Sequence, residues 1–230
     1  MKFGSVPLKE AEGAFLAHAV QAGEVRFKKG TRLAVPEIAA LQTAGIGEVI
    51  VARLEEGDIA EDNAAARLAA TALHPSVRIA SPSTGRVNIH AEADGLFVVD
   101  RHAIEAINRV DPSITIATLA EFAPVACGQM VATVKIIPFA VPVEKLDAAI
   151  AAAKSASPLL KVAPWFSKPV GLVATELPSL KPEVMDKTAR ILQARLARSG
   201  SILMKEVRVP HDEDAVGNAI KDLAKDGAGL

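Results

Sequence analysis

The chain has 230 residues, half of them hydrophobic, with 26 basic side chains against 27 acidic ones and a formal net charge of −1. A pI near 6.5 and a mean hydropathy of +0.26 exclude a globally basic nucleic-acid footprint and a chain too polar to fold. Seven Phe, one Trp and no Tyr leave few rings for stacking bases, so no nucleic-acid partner is expected.

The start, Met1-Lys-Phe-Gly-Ser-Val-Pro7, has no apolar core of a secretory signal, and no apolar stretch approaches a membrane span. A cytoplasmic protein with no membrane partner is the expectation. Leu8 to Val20 reads as helix-like and Lys28-Lys29-Gly30 as a basic turn. Pro36 opens a helix that Gly45 ends, and Glu48–Ala52 is a strand. The alanine-rich stretch from Asp58 to Leu73 predicts a helix with acidic residues at its positive dipole end.

A strand-rich region follows. Val77–Ala80 and Val87–Ala91 are strands around the turn Ser81–Arg86, and Ala93-Asp94-Gly95 predicts a hairpin into Leu96–Val99. His102 to Val110 reads as a helix with Ile104 and Ile107 inward, and Ile114 to Leu119 alternates as a half-buried strand. The lone Cys127, in Pro124-Val-Ala-Cys-Gly128, cannot form an internal disulfide and is expected to be a buried, inert thiol. Gln129–Ile137 is the strongest strand signal in the chain and offers an edge suited to β-augmentation. Val143–Lys154 is an alanine-rich helix.

From Lys168 onward the pattern is strand, helix, strand, helix. Pro169–Ala174 is an apolar run of the kind buried in parallel sheets, and Thr175–Pro182 is a polar turn. Val184, Thr188, Ile191, Leu192 and Leu196 recur at helical spacing up to Ser199-Gly200. Ile202–Val209 is a strand with Arg208 outward. Asp212 caps a final helix whose Val216, Ala219, Ile220 and Leu223 share a face. A parallel pair needs a helical crossover, so this is a βαβ unit with one more helix, after which a third strand is expected beyond Leu230. In such sheets ligands sit past the carboxyl ends of the strands, here near Thr175 and Asp212.

The chain has no HExxH, CxxC, GxSxG, GxxxxGK[ST] or GxGxxG motif, so no metal site is assigned. Thr175 and Glu176 either face a ligand or turn and solvate the chain. Asp186 is placed in the first turn of its helix, where it caps or binds. Lys181 and Lys187 flank that helix start, free for a phosphate or for solvent. His211-Asp-Glu-Asp214 reads as capping, and Ser83-Thr-Gly-Arg86 as an anion site or a plain surface turn.

The order of residues resembles a known family. Phe3–His18, Phe27-Lys-Lys-Gly-Thr-Arg-Leu33 and Ile38 to Val51 resemble the opening of molybdopterin molybdotransferases. Val170–Glu176, Asp186–Gly200, Ile202–Val209 and Pro210-His-Asp-Glu-Asp214 resemble the molybdopterin-binding α/β domain of molybdotransferases and of adenylyltransferases of molybdenum-cofactor synthesis. Where that family reads Ser-Thr-Gly-Asp-Glu-Leu, this chain has Ala174-Thr-Glu-Leu-Pro178, and the family's glycine-rich phosphate loop would fall beyond Leu230.

The chain divides near residues 75 and 155 into an α/β and α+β multi-domain protein: 1–75 a mixed α/β segment, 76–155 a strand-rich middle domain and 156–230 a last domain. The resemblance implies that this last one is an incomplete three-layer α/β/α molybdopterin-binding domain with a mainly parallel sheet. It implies molybdopterin as cofactor, a pterin phosphate or nucleotide as ligand, and magnesium if nucleotidyl chemistry occurs. Thr175, Glu176, Lys181, Asp186, Lys187 and Asp212 are the implied cofactor-binding residues. A nucleotidyltransferase domain, a molybdoenzyme or a second copy of the chain are the implied partners. The other reading open at this point is a non-catalytic interaction or dimerisation module.

Overall fold

A computed structural model describes residues 1–229, and the chain divides into two compact units, Met1–Ala163 and Pro164–Leu230. It is a mixed α/β protein built largely from small antiparallel sheets.

The first unit begins with β1 (Lys2–Pro7), β2 (Phe15–Leu16), β3 (Val20–Ala22), β4 (Val25–Phe27), α1 (Val35–Thr43) and β5 (Glu48–Arg53). β5 lies between β1 and β2, antiparallel to both. The expected helix over Leu8–Val20 does not form. Gly13 takes φ +76°, its N–H donates to the Leu33 carbonyl, and Leu16 and Leu33 exchange backbone bonds with the facing segment. The apolar residues of this stretch, Leu8, Ala11, Ala14 and Leu16, pack instead with Leu33, Leu41, Val49 and Val51. Long-range pairing overrides the local spacing.

The remainder of this unit comprises β6 (Asp58–Ala60), α2 (Glu61–Ala69), β7 (Val77–Ile79), β8 (Arg86–Ala91), β9 (Gly95–Val99), α3 (Arg101–Val110), β10 (Ile114–Thr118), β11 (Pro124–Val125), β12 (Met130–Ile136), β13 (Ala140–Pro142), α4 (Val143–Lys154) and β14 (Leu160–Pro164). The expected helix from Asp58 starts three residues late, because Asp58–Ala60 pairs with β13 and the Glu61 N–H donates to the Phe139 carbonyl.

A four-stranded antiparallel sheet runs β10-β12-β8-β7, and a three-stranded sheet runs β11-β9-β14. β12 is therefore a central strand, not the free edge expected of Gln129–Ile137. The expected hairpin through Ala93-Asp94-Gly95 also fails, since β8 and β9 belong to different sheets. Gly95 lies so close to β14 that a Cβ would strike the Ala163 carbonyl, while Asp94 accepts the Cys127 N–H at 2.7 Å. Cys127 is exposed, correcting the buried thiol; Val125 takes the interior place. α2, α3 and α4 bury Leu68, Ile107 and Leu146 against Val87, Ile89, Phe97, Val134 and Ile136.

The second unit holds β15 (Pro169–Glu176), α5 (Pro182–Ala197), β16 (Ile202–Pro210) and α6 (Glu213–Lys225). β15 and β16 are parallel, in register from Pro169↔Ile202 to Glu176↔Pro210. Arg208 pairs with Asp186 of α5, whereas Lys205, an odd number of residues away, pairs at 2.9 Å with Asp226 at the end of α6. Side chains alternate across a strand, so the two helices engage opposite faces. Arg208, expected outward, lies under α5. Ala219 and Leu223 are buried, but Ile220, expected on the same inner face, is 50% exposed. Beyond α6 the Gly229 N–H donates to the Pro169 carbonyl at 2.8 Å. Because Lys168 turns its carbonyl toward Ile202, the next carbonyl points away from β16.

Candidate functional site

The two ends of the parallel pair differ in chemistry. At the amino ends the backbone is tied by side chains: Ser167 Oγ donates to the Gly200 carbonyl at 2.7 Å, and Ser201 Oγ accepts from the Lys168 N–H at 3.0 Å. Ser201, 8% exposed, also meets Ser199 Oγ at 2.9 Å. At the carboxyl ends β15 stops at Thr175-Glu176 and β16 at Pro210, directly opposite Glu176. His211 follows, and its Nδ1 lies 3.0 Å from Thr175 Oγ1. The hydroxyl at the end of one strand and the imidazole just after its neighbour are thus in contact, immediately before the N-cap of α6.

The sequence-derived residues are divided by the structure. Thr175 is half-buried and engaged with His211, and Glu176 is exposed at the strand end. Lys181 is the N-cap residue of α5, with extended backbone and no capping bond from its side chain. Asp186 stands one turn inside α5, not in its first turn, and its carboxylate pairs with Arg208. Arg208 also pairs with Glu206 at 2.7 Å; Glu206 first, then Asp186, hold the guanidinium protonated well above its usual range. Asp186 is therefore committed to an ion pair that fastens α5 to β16. Lys187 is exposed on the same helix. Asp212 caps α6, accepting from the Ala215 N–H at 2.9 Å. Thr175, Glu176, Asp212 and His211 lie at the strand ends, while Asp186 is taken up by Arg208.

His211 is the residue that sequence reasoning did not assign to the site. Its position directly after the second strand was the available signal, because a residue there is placed beside the end of the first parallel strand. The α6 start carries Asp212, Glu213 and Asp214, whereas α5 has Glu183 in its first turn with Lys181 before it and Lys187 beyond. An anionic ligand is favoured at α5 and repelled at α6.

Ser83-Thr-Gly-Arg86, the other candidate, is a tight turn of the first unit. Thr84 and Gly85 take φ +50° and +69°, Ser83 and Arg86 exchange backbone bonds, and the Gly85 N–H donates to Asp62 Oδ1 at 2.7 Å. The turn N–H that could meet an anion is thus held by a carboxylate. Near the start of α3, Val99, Arg101, Glu105 and Glu121 line two adjoining cavities of about 680 and 580 Å³. Among the described residues no group of three or more His, Cys, Asp or Glu is arranged to hold a metal ion, and no helix is long and apolar enough to cross a membrane.

Residues 5–53 match a family described as a domain of unknown function (DUF8806). No curated protein and no solved structure matches the chain.

Proposed function

We propose that the second unit binds molybdopterin, as a module of molybdenum-cofactor biosynthesis in the cytoplasm, and that it is of the three-layer α/β/α type with a mainly parallel sheet. The observation that carries this reading is the contact of Thr175 with His211 at the carboxyl ends of β15 and β16, the end at which α/β sheets take ligands. The donor set suits a phosphorylated pterin. Backbone N–H groups at the start of α5, with Lys181 and Lys187, would hold the phosphate, and His211, Thr175 and Glu176 would meet the polar edges of the ring system. Asp212 serves by fixing α6 and thereby His211. Molybdopterin would supply the dithiolene that holds molybdenum; the residues of this chain would bind and orient it. A magnesium ion would draw on Glu176 here, since Asp186 and Asp212 are already engaged. Partners in this reading are a nucleotidyltransferase domain or a molybdoenzyme that takes the cofactor onward.

The test is a fluorescence titration of the chain with molybdopterin released from a molybdoenzyme. Binding in the micromolar range that falls about tenfold in both Thr175→Val and His211→Ala supports the reading, tenfold being roughly 1.4 kcal/mol. Binding absent at that concentration, or indifferent to both substitutions, sinks it.

A second reading is an interaction or dimerisation module. It is favoured by the exposed apolar side chains of the second unit, among them Ile202 at 61% and Met204 at 37%. Light scattering after size exclusion separates the two readings: a stable dimer that ignores molybdopterin supports the second.

A further inference from the structure

The outer face of the β10-β12-β8-β7 sheet carries an arrangement that the proposed pterin site does not use. Val87, Ile89, Ile114, Ile116, Val134 and Ile136 point inward and are buried, so the alternate residues form the opposite face. Their register is fixed by the ladder. Thr115 stands opposite Lys135, and Lys135 stands opposite Arg86. In the next row Ala117 faces Thr133 and Thr133 faces Asn88; beyond it Met130 faces His90 and His90 faces Arg78.

Two like charges, Lys135 and Arg86, are thus directly opposite on neighbouring strands, an unfavourable pairing. Among the described residues neither has an ion-pair partner, and no carboxylate stands in these three rows. Glu92 lies one step beyond His90 and pairs with Arg78 at 3.1 Å. The hydroxyl of Thr133 donates to Asn88 Oδ1 at 2.9 Å, which leaves the Asn88 NH2 as a further donor. The Thr115 hydroxyl donates to the Lys135 carbonyl at 3.2 Å, so it presents only acceptor capacity.

We propose that this face docks an acidic protein segment. Charge complementarity selects the sign: an anionic partner converts the Lys135–Arg86 repulsion into two attractive contacts and finds a further donor on Asn88. The face is an open strand ladder, which suits a macromolecular surface better than a small molecule. Its one large apolar side chain is Met130, 49% exposed, and no Phe, Tyr or Trp stands in these rows to stack a base, which disfavours a single-stranded nucleic acid. Lys135 and Arg86 lie about 13 Å from the His90 row, the rise of four strand residues, so several carboxylates of an extended segment can be met at once. Contacts of this kind speed association and weaken with salt.

Fluorescence anisotropy of a labelled oligoglutamate peptide on the full chain at low salt tests the proposal. Binding is expected, weakening as salt is added. The double substitution R86E/K135E should reduce affinity by about tenfold or more, while K154E on α4 leaves it unchanged. The single variant R86E places opposite charges across the ladder, so it should melt no lower than the parent while binding less well; lost affinity is then not lost folding. The proposal is overturned if the peptide does not bind, if R86E/K135E binds as the parent does, or if a single-stranded oligonucleotide occupies the same face more tightly than the peptide.

Discussion

Gly85 sits at φ +69°, where a Cβ would lie 2.7 Å from the Ile136 carbonyl oxygen and 2.8 Å from Glu61 Oε2. Gly85→Ala therefore meets both backbone strain and a backbone clash, and should destabilise the protein by roughly 2–4 kcal/mol in urea unfolding. Gly128→Ala, at φ +81° with nothing within 4 Å, should cost only the conformational part, about 1–2 kcal/mol. Across the sheet, R86E exchanges a like-charge pair for an opposite one and should raise stability by about 0.2–1 kcal/mol. Glu61 is a further residue with a readable sign. Burial, then the neighbouring Asp62, push its pKa up against the opposing pull of Lys29. The folded protein holds this proton more tightly than the unfolded chain, so stability falls as pH rises from the ordinary glutamate value through the raised one. Glu61→Gln should raise the urea midpoint near neutral pH and lose that advantage once the medium is acidic enough to protonate Glu61 in both states.

Among the elements, α6 is held to the parallel pair by Leu223, which lies against Gly171 and is 5% exposed. Leu223→Ala should cost the second unit about 2–4 kcal/mol, whereas Ile220→Ala, on the exposed side, should change little, both read from unfolding midpoints. The elements differ in how far the sequence announced them. α3, α4, α5, β10 and the β15–α5–β16–α6 order were legible from residue period and alanine content, to which Gly200 after α5 and the Asp212 cap of α6 add; Asp100 likewise caps α3. The segment around Leu8–Leu16 was not legible, because its apolar spacing suits a helix while its backbone bonds go to Thr31 and Leu33, distant in sequence. Turn residues did not reveal that β8 and β9 part company, since the reason lies in the close approach of Gly95 to Ala163. At the candidate site, strand ends fixed Thr175 and Glu176, but the Arg208 pairing that removes Asp186 depends on helix phase. Spacing alone does not report that phase.

For the whole molecule, the distribution of buried side chains separates the two units. The three hydrophobic clusters of buried residues lie within Met1–Ala163. Among the described residues of the second unit the side chains buried below a tenth are Met185, Ser201, Ala219 and Leu223, and a parallel pair with two helices has little area from which to draw stability. Denaturant unfolding should therefore be biphasic, with Trp165 and the second unit reporting the earlier transition and the far-ultraviolet signal of the first unit the later one. A single coincident transition by both probes would refute this. The bond from the Gly229 N–H to the Pro169 carbonyl gives that earlier transition a local clock. Its deuterium uptake should run in step with the opening of β15 rather than with the fraying of an ordinary chain end, so one amide reports how often the strand comes away at the end opposite the candidate pterin cradle.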